Sequence, residues 1–203
     1  MKRDEKNLIS RRKILDSALA EFGTRGYGMS SVNTICTAGD ISKGILYHYF
    51  RDKDELYLAC VQELFDSLTA YLTHALGDVS GTETAQLERY FDARLGFFHQ
   101  YPLQHRLFCD VVIAPPAHLA AGISALRAPF DSLNVQVFTG LLQEVQLRAD
   151  TTIESAVETL RLYQDFVNAR FQMEGAGDLE RHEEICKRTL SILLYGIVRR
   201  GEQ

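Results

Sequence analysis

Apolar residues recur along this chain at spacings of three and four, and stretches that alternate as a strand would are almost absent. Near the start, Ile14, Leu15, Ala18, Leu19 and Phe22 form one stripe of an amphipathic helix that Gly26 can stop. A short second helix should follow, capped by Ser30, with Val32 and Ile35 on its inner side. The turn "AGD" leads into a third helix, where Ser42 can accept from the free N–H groups and Ile41 can pack on Leu46 as a hydrophobic staple. Its inward face is Ile41, Leu46 and Phe50, and its outward face carries Lys43, Gly44, Tyr47 and His48. Asp52, with Glu55 three positions on, has capping-box spacing and opens a fourth helix that buries Tyr57, Val61, Leu64, Leu68 and Leu72. At about 24 residues and 1.5 Å per residue this helix would be ~36 Å long.

The helical pattern continues to the end. Leu87, Phe91, Leu95 and Phe98 stripe a helix that Pro102 ends, and a short one through His105, Phe108 and Cys109 stops at Pro115 and Pro116. A long helix follows with Pro129 as an expected kink. Two more carry apolar stripes, Ile153, Val157, Leu160, Val167 and Phe171 on one and Ile185, Leu190, Leu193 and Ile197 on the other, separated by "EGAGD". Such a pair buries its stripes against its own domain or meets the same pair from a second chain in a four-helix bundle. The pattern therefore predicts an all-α chain: a helix-turn-helix domain over residues 1–54, joined by the long fourth helix to a helical domain over residues 55–203.

With 203 residues, 46% of them hydrophobic and 24% charged, the chain can bury a proper core. No apolar run approaches the ~18 residues of a membrane span, and the charged N-terminal stretch has no apolar run behind it, which places the protein in the cytoplasm. Cys36, Cys60, Cys109 and Cys186 are scattered, without a CxxC pair or zinc-type His spacing, so no disulfide and no structural metal is expected. His105 and Cys109 stand one helical turn apart, but with His99 and Asp110 they make no recognisable metal signature. No GxSxG, P-loop, HExxH or paired ExxH motif is present, so neither a catalytic centre nor a cofactor is expected.

The net charge of −5 argues against a nucleic-acid partner until its distribution is considered. Residues 1–54 hold ten Lys and Arg against seven Asp and Glu, whereas the remainder holds twelve against twenty. The positive excess thus coincides with two short helices joined by a tight turn, the second presenting polar and aromatic groups outward, which is the arrangement by which a helix enters a DNA major groove.

Two segments make the case more specific. "RRKILDSALAEFGTRGYGMSSV", with its Phe22, Gly26, Tyr27 spacing, and "ISKGILYHYFRDKDELY", with Leu-Tyr-x-Tyr-Phe followed by Lys53 and Leu56, resemble the DNA-binding region of the TetR (tetracycline repressor) family of bacterial transcription regulators. The likeness covers roughly residues 10 to 60. It implies that Tyr47 donates its hydroxyl to a phosphate, and that Ser42, Lys43, Gly44, Ile45 and His48 face base edges and backbone. It further implies that Ser30 or Ser31, together with Lys53, holds phosphates from the flanking helices. Two positions depart from the family pattern. Gly39 and Asp40 stand where Ala-Gly before Val or Ile is usual, which asks Asp40 to adopt a left-handed conformation, and Ile45 replaces a commoner Thr, offering a methyl contact instead of a polar one.

The same resemblance implies a homodimer on a pseudo-palindromic operator, with Ile153, Val157, Leu160, Val167, Phe171, Ile185, Leu190, Leu193 and Ile197 at the dimer face. It also implies an effector cavity in the middle helices, for which Phe91, Phe98, Tyr101, His105, Phe108, Cys109, Phe138 and Phe166 are the candidate lining, suited to a small apolar or aromatic molecule. The expected function is a ligand-responsive regulator, in the commoner case a repressor. The alternative is a helical ligand-binding or protein-interaction module with little DNA affinity.

Overall fold

The structure, a computed structural model, describes residues 3–77, 83–113, 115–143, 146–173 and 179–197. Nine α-helices account for its regular elements among those residues: α1 (Arg3–Met29), α2 (Val32–Ala38), α3 (Lys43–Tyr49), α4 (Lys53–Leu76), α5 (Glu83–Gln100), α6 (Pro102–Ile113), α7 (Ala120–Gln143), α8 (Ile153–Met173) and α9 (Leu179–Ile197). A 3-10 turn, Ala117–Leu119, precedes α7. The "EGAGD" connection lies outside the described residues.

Contacts divide the chain into two units, residues 1–65 with 101–127 and residues 66–100 with 128–203. The boundary expected after residue 54 falls inside the first of these, because α6 joins the helix-turn-helix. Two glycines of α1 allow that approach. A Cβ on Gly23 would lie 2.9 Å from the Leu103 carbonyl oxygen, and one on Gly26 would lie 2.8 Å from the Asp110 carboxylate. Gly26 also sits at φ 68, ψ 168, a region that residues with a Cβ avoid, so helical geometry breaks there as the sequence suggests, and one further turn runs to Met29.

The first unit closes over Ile14, Leu15, Ala18 and Phe22 of α1, Ile35 of α2, Leu46 and Phe50 around α3, Leu56, Tyr57, Val61 and Leu64 of α4, and Leu107 and Phe108 of α6, all buried. Tyr57 sits at the middle, its ring 5.0 Å from the ring centroids of both Phe22 and Tyr27. Its hydroxyl is buried with no hydrogen-bond partner among the described residues. Burial also raises the Cys60 thiol to about 12, which keeps it protonated and inert.

The second unit is built from the later part of α4, α5, most of α7, α8 and α9. Tyr90, Phe91, Phe97, Phe98, Phe130 and Phe138 form its buried aromatic core. Tyr90 packs edge-on to Phe91 at 5.2 Å and to Phe138 at 5.9 Å, and its hydroxyl donates to Asn134 Oδ1 at 2.6 Å, so the polar end is satisfied within the core. Arg94 is fully buried on the α5 stripe, its guanidinium carbon 5.4 Å from the Phe91 ring centroid. Leu95, by contrast, is only half-buried.

Candidate nucleic-acid interface

The helix-turn-helix is fixed by local chemistry at each end. Ser31, extended at φ −134, caps α2 by accepting from the Thr34 N–H at 3.1 Å. Ser30, the cap expected from sequence, instead lies buried and donates its hydroxyl to the Gly26 carbonyl at 2.6 Å. Its side chain is therefore an internal tie across the kink. The turn residue Asp40 adopts φ 47, the left-handed conformation its position demands, and its carbonyl accepts from Lys13 Nζ at 3.1 Å. Ser42 then caps α3, accepting from the Ile45 N–H at 3.2 Å.

α3 divides into two faces. Leu46 is fully buried and Phe50, at its end, nearly so, whereas Ser42, Lys43, Gly44, Ile45, Tyr47 and His48 are exposed, with Tyr47 at 51%. A Cβ on Gly44 would meet nothing within 4 Å, so that position is open for close approach by a partner. One short helix thus gathers a cation, an imidazole, a phenol and an apolar contact on a single accessible face, with free N–H groups at its capped start.

The remaining predicted contact is displaced. Lys53 points its ammonium back into the domain, donating to the Tyr27 carbonyl at 2.8 Å and the Ser30 carbonyl at 3.1 Å, and lying 4.0 Å from the Tyr27 ring centroid. It finishes the C-terminal end of α1, where unpaired carbonyls favour a cation. Tyr27 itself donates its hydroxyl to the Asp54 carboxylate, and His118 Nε2 stands 3.2 Å from the other oxygen of that carboxylate. Burial first, and then Asp54, push the Tyr27 phenol up to about 12, so it remains a donor throughout the ordinary pH range.

Two contacts tie α1 to α3, and the apolar pattern gave no sign of them. Tyr49 Oη donates to Asn7 Oδ1 at 3.1 Å, and the Arg11 guanidinium lies 5.5 Å from the Phe50 ring centroid. The only sequence signal is a polar residue, Asn7, on α1 where the last turn of the next helix pair could reach it. At the start of α4, Asp52 accepts from the Glu55 N–H at 2.8 Å and Glu55 accepts from the Arg51 N–H at 2.7 Å, one residue earlier than in the usual capping box. The Glu55 N–H and, secondly, the Arg51 guanidinium hold the Asp52 carboxyl below its ordinary range.

The sequence pattern describing "Bacterial regulatory proteins, tetR family" matches residues 14–60, which span α2, α3 and the turn between them. The helix-turn-helix region belongs to the tetR family. Relatives of this TetR-family region include the HTH-type transcriptional regulator RutR of Escherichia coli K12, 28% identical over 113 residues, which cover 56% of this chain and 52% of that protein. The HTH-type transcriptional activator FasR of Mycolicibacterium smegmatis is 30% identical over 126 residues, 57% of this chain and 56% of that protein. The matches span about half the length of these curated relatives. Beyond the matched region the fold still agrees: the transcriptional regulator FadR of Bacillus subtilis, solved with stearoyl-CoA, superposes with a TM-score of 0.74 at 14% identity over 92% of this chain and 98% of that one.

The residues expected to line an effector cavity fall into different surroundings. In the second unit Phe91, Phe98 and Phe138 are buried. In the first unit Phe108 and Cys109 are buried, His105 is half-buried with Nε2 3.5 Å from Cys109 Sγ, and Tyr101 is 39% exposed. Phe166 departs from the expectation, being 60% exposed on α8. Between α4, α5 and α7 of the second unit lies a cleft of about 290 Å³, lined by Thr73, Leu76, Gln86, Leu133, Val137 and Gly140. That is the lower edge of the size range of small-molecule sites.

The residues expected at the dimer face also fall into different surroundings. Val157, Leu160, Val167 and Leu190 are buried within their own chain, so they are core residues, while Ile153, Ile185 and Leu193 are half-buried. The side chains of Phe171 and Ile197 lie outside the described residues. Among the described residues, the large apolar side chains that α8 and α9 leave exposed are Leu162, Phe166 and Ile192. Among the described residues no single helix is long and apolar enough to cross a membrane, and no group of His, Cys, Asp and Glu could hold a metal ion.

Proposed function

We propose that the chain is a ligand-responsive transcription regulator that binds a pseudo-palindromic operator as a homodimer, with α3 in the major groove. The observation that carries this reading is the exposed face of α3 standing over its buried Leu46 and Phe50, inside the region that matches the tetR family. Lys43 supplies cationic donors, Tyr47 a rigid hydroxyl for a phosphate, and His48 a donor or acceptor for a base edge. Gly44 admits the backbone closely, and Ile45 packs on a thymine methyl. The α2 and α3 N-termini, capped by Ser31 and Ser42, present N–H groups to phosphate oxygens. Neither a catalytic role nor a cofactor is part of the proposal, and the protein acts in the cytoplasm.

In this reading Leu162, Phe166 and Ile192 cover one another across a two-fold axis. A symmetric dimer carries two copies of α3, spaced for half-sites about one DNA turn, ~34–36 Å, or a multiple apart. A small apolar or aromatic effector taken up by the second unit shifts α4, which contributes to both units, and so lowers operator affinity. A coupling of ~1–3 kcal/mol gives ~5–150-fold. The FadR likeness supports an apolar effector to the extent that FadR is solved with stearoyl-CoA.

Selection of binding sites from a random duplex library tests the proposal. The full chain should enrich a sequence with two-fold symmetry, and a chain carrying both Lys43→Ala and Tyr47→Ala should not. Equal enrichment by the two proteins, or none by either, removes α3 as the reading element.

A further inference from the structure

The exposed cations of α1 outside the matched family region have no role so far. α1 and α3 run beside each other in opposite directions. Lys13 Nζ reaches the Asp40 carbonyl just ahead of α3, while Asn7 and Arg11 reach Tyr49 and Phe50 at its end. Lys6, one residue before Asn7, therefore lies level with the last turn of α3, where His48 is exposed. Of the neighbouring cations, Arg12 is engaged by Asp16 at 2.6 Å and Glu63 at 2.5 Å, and Lys13 by Asp40. Lys6 and Arg11 are exposed, and among the described residues the Arg11 guanidinium faces the Phe50 ring, which leaves its in-plane N–H groups available.

The groove geometry then decides what stands opposite them. A major groove is about 12 Å wide and a helix with its side chains about 10–12 Å across, so α3 fills it. Long side chains that leave the exposed side of a helix packed at about 8–10 Å between axes can reach the phosphate strand that borders the groove. Resting on the DNA-binding reading above, we propose that Lys6 and Arg11 hold backbone phosphates bordering the groove, and that the Tyr49–Asn7 hydrogen bond positions this end of α1 to do so. The contact carries no base preference. It extends the footprint outward from each half-site and raises affinity for any sequence alike.

Fluorescence anisotropy with a library-selected duplex, titrated over a range of salt, tests this with the full chain, Lys6→Ala, Arg11→Gln and, as a control for lost charge elsewhere, Lys187→Ala. Each lost phosphate contact should flatten the plot of log affinity against log salt by about 0.9 per bound copy, which is about 3.5-fold less affinity lost between 50 and 200 mM salt. Lys6→Ala should show this with an unchanged urea midpoint, Arg11→Gln should show it with at most the small midpoint loss of its contact with Phe50, and Lys187→Ala should keep the wild-type slope. Wild-type slopes in both α1 variants would overturn the α1 contact while leaving the α3 reading intact. Weakened binding at wild-type slope with a lowered urea midpoint would overturn it too, by making these residues structural. A wild-type chain that binds no duplex would sink the DNA reading itself and this contact with it.

Discussion

Replacing Lys53 by Met removes the ammonium while keeping most of the apolar stem, and its consequence separates a structural lysine from a DNA-binding one. Hydrogen bonds to a charged donor contribute about 1.5–3 kcal/mol each when well formed. The Lys53 ammonium is only half-buried, so its bonds to the Tyr27 and Ser30 carbonyls together stabilise by roughly 2 kcal/mol. Its position 4.0 Å from the Tyr27 ring centroid adds about 0.5–1 kcal/mol. The Tyr27 carbonyl keeps a second, longer bond at 3.4 Å from the Ser30 N–H, which limits the loss. Lys53→Met should thus cost about 2–3 kcal/mol, lowering a urea midpoint followed by far-UV circular dichroism by roughly 1–2 M. The slope of DNA affinity against salt should not change. A variant as stable as the wild-type chain, with that slope reduced by about 0.9 per copy, would refute the internal role and return Lys53 to the phosphates.

Other substitutions test other parts of the first unit and the dimer face. Tyr57→Phe removes a buried hydroxyl that has no partner among the described residues and should raise stability by about 1 kcal/mol in the same urea experiment. Gly26→Ala meets both a positive φ and the Asp110 carboxylate at 2.8 Å, and should cost about 2–4 kcal/mol. Asp52→Asn keeps an N-cap acceptor but not its charge. Because the folded Asp52 carboxyl lies below its ordinary value, its contribution is present above the unfolded carboxylate range and is lost as pH falls through the folded value. The variant should lack that acid-side decline in a pH series of melting curves. At the alkaline end the sign reverses: Tyr27, raised from 10.0 to about 12, contributes stability below pH 10 that disappears as pH rises through 12, and Tyr27→Phe should flatten that limb. Phe166→Asp should convert a dimer to a monomer in analytical ultracentrifugation with its melting temperature little changed, since the side chain is 60% exposed.

What could be read from the sequence was what the helical period controls. The two faces of α3 follow directly from the spacing of Leu46 and Phe50 against Lys43, Tyr47 and His48, and the left-handed Asp40 follows from the demand of the turn. Period alone cannot choose between neighbours of like chemistry. Ser30 and Ser31 are equally good caps on paper, and the kink at Gly26, which brings its carbonyl to Ser30, leaves Ser31 at the helix start. Lys53 is ambiguous for a related reason: a long cation beside a helix start can turn outward to DNA or back to an earlier helix end, and in the structure it reaches the Tyr27 carbonyl.

Amphipathic stripes conceal which side of a helix meets what. On α8 the stripe through Val157, Leu160 and Val167 satisfies the chain's own core, while Leu162 and Phe166, which look like interruptions of the pattern, are the exposed apolar residues proposed above for the dimer face. Arg94 is the converse case, a charged residue on an apolar stripe that is nonetheless fully buried. The placement of α6 with the helix-turn-helix depended on Gly23 and Gly26, whose small size leaves no trace in a hydrophobicity pattern.

The most direct test of α3 as the DNA-reading element is the affinity of the full chain for its selected duplex across a salt series, measured beside Lys43→Ala and Tyr47→Phe. The wild-type chain should lose affinity linearly in log salt, and Lys43→Ala should have a slope lower by about 0.9 per copy, or an altered base preference on renewed selection if Lys43 reads a base. Tyr47→Phe should bind about tenfold or more weakly, as loss of a hydrogen bond to a charged phosphate requires. Wild-type affinity, slope and selectivity in both variants would contradict the assignment of α3 to the groove.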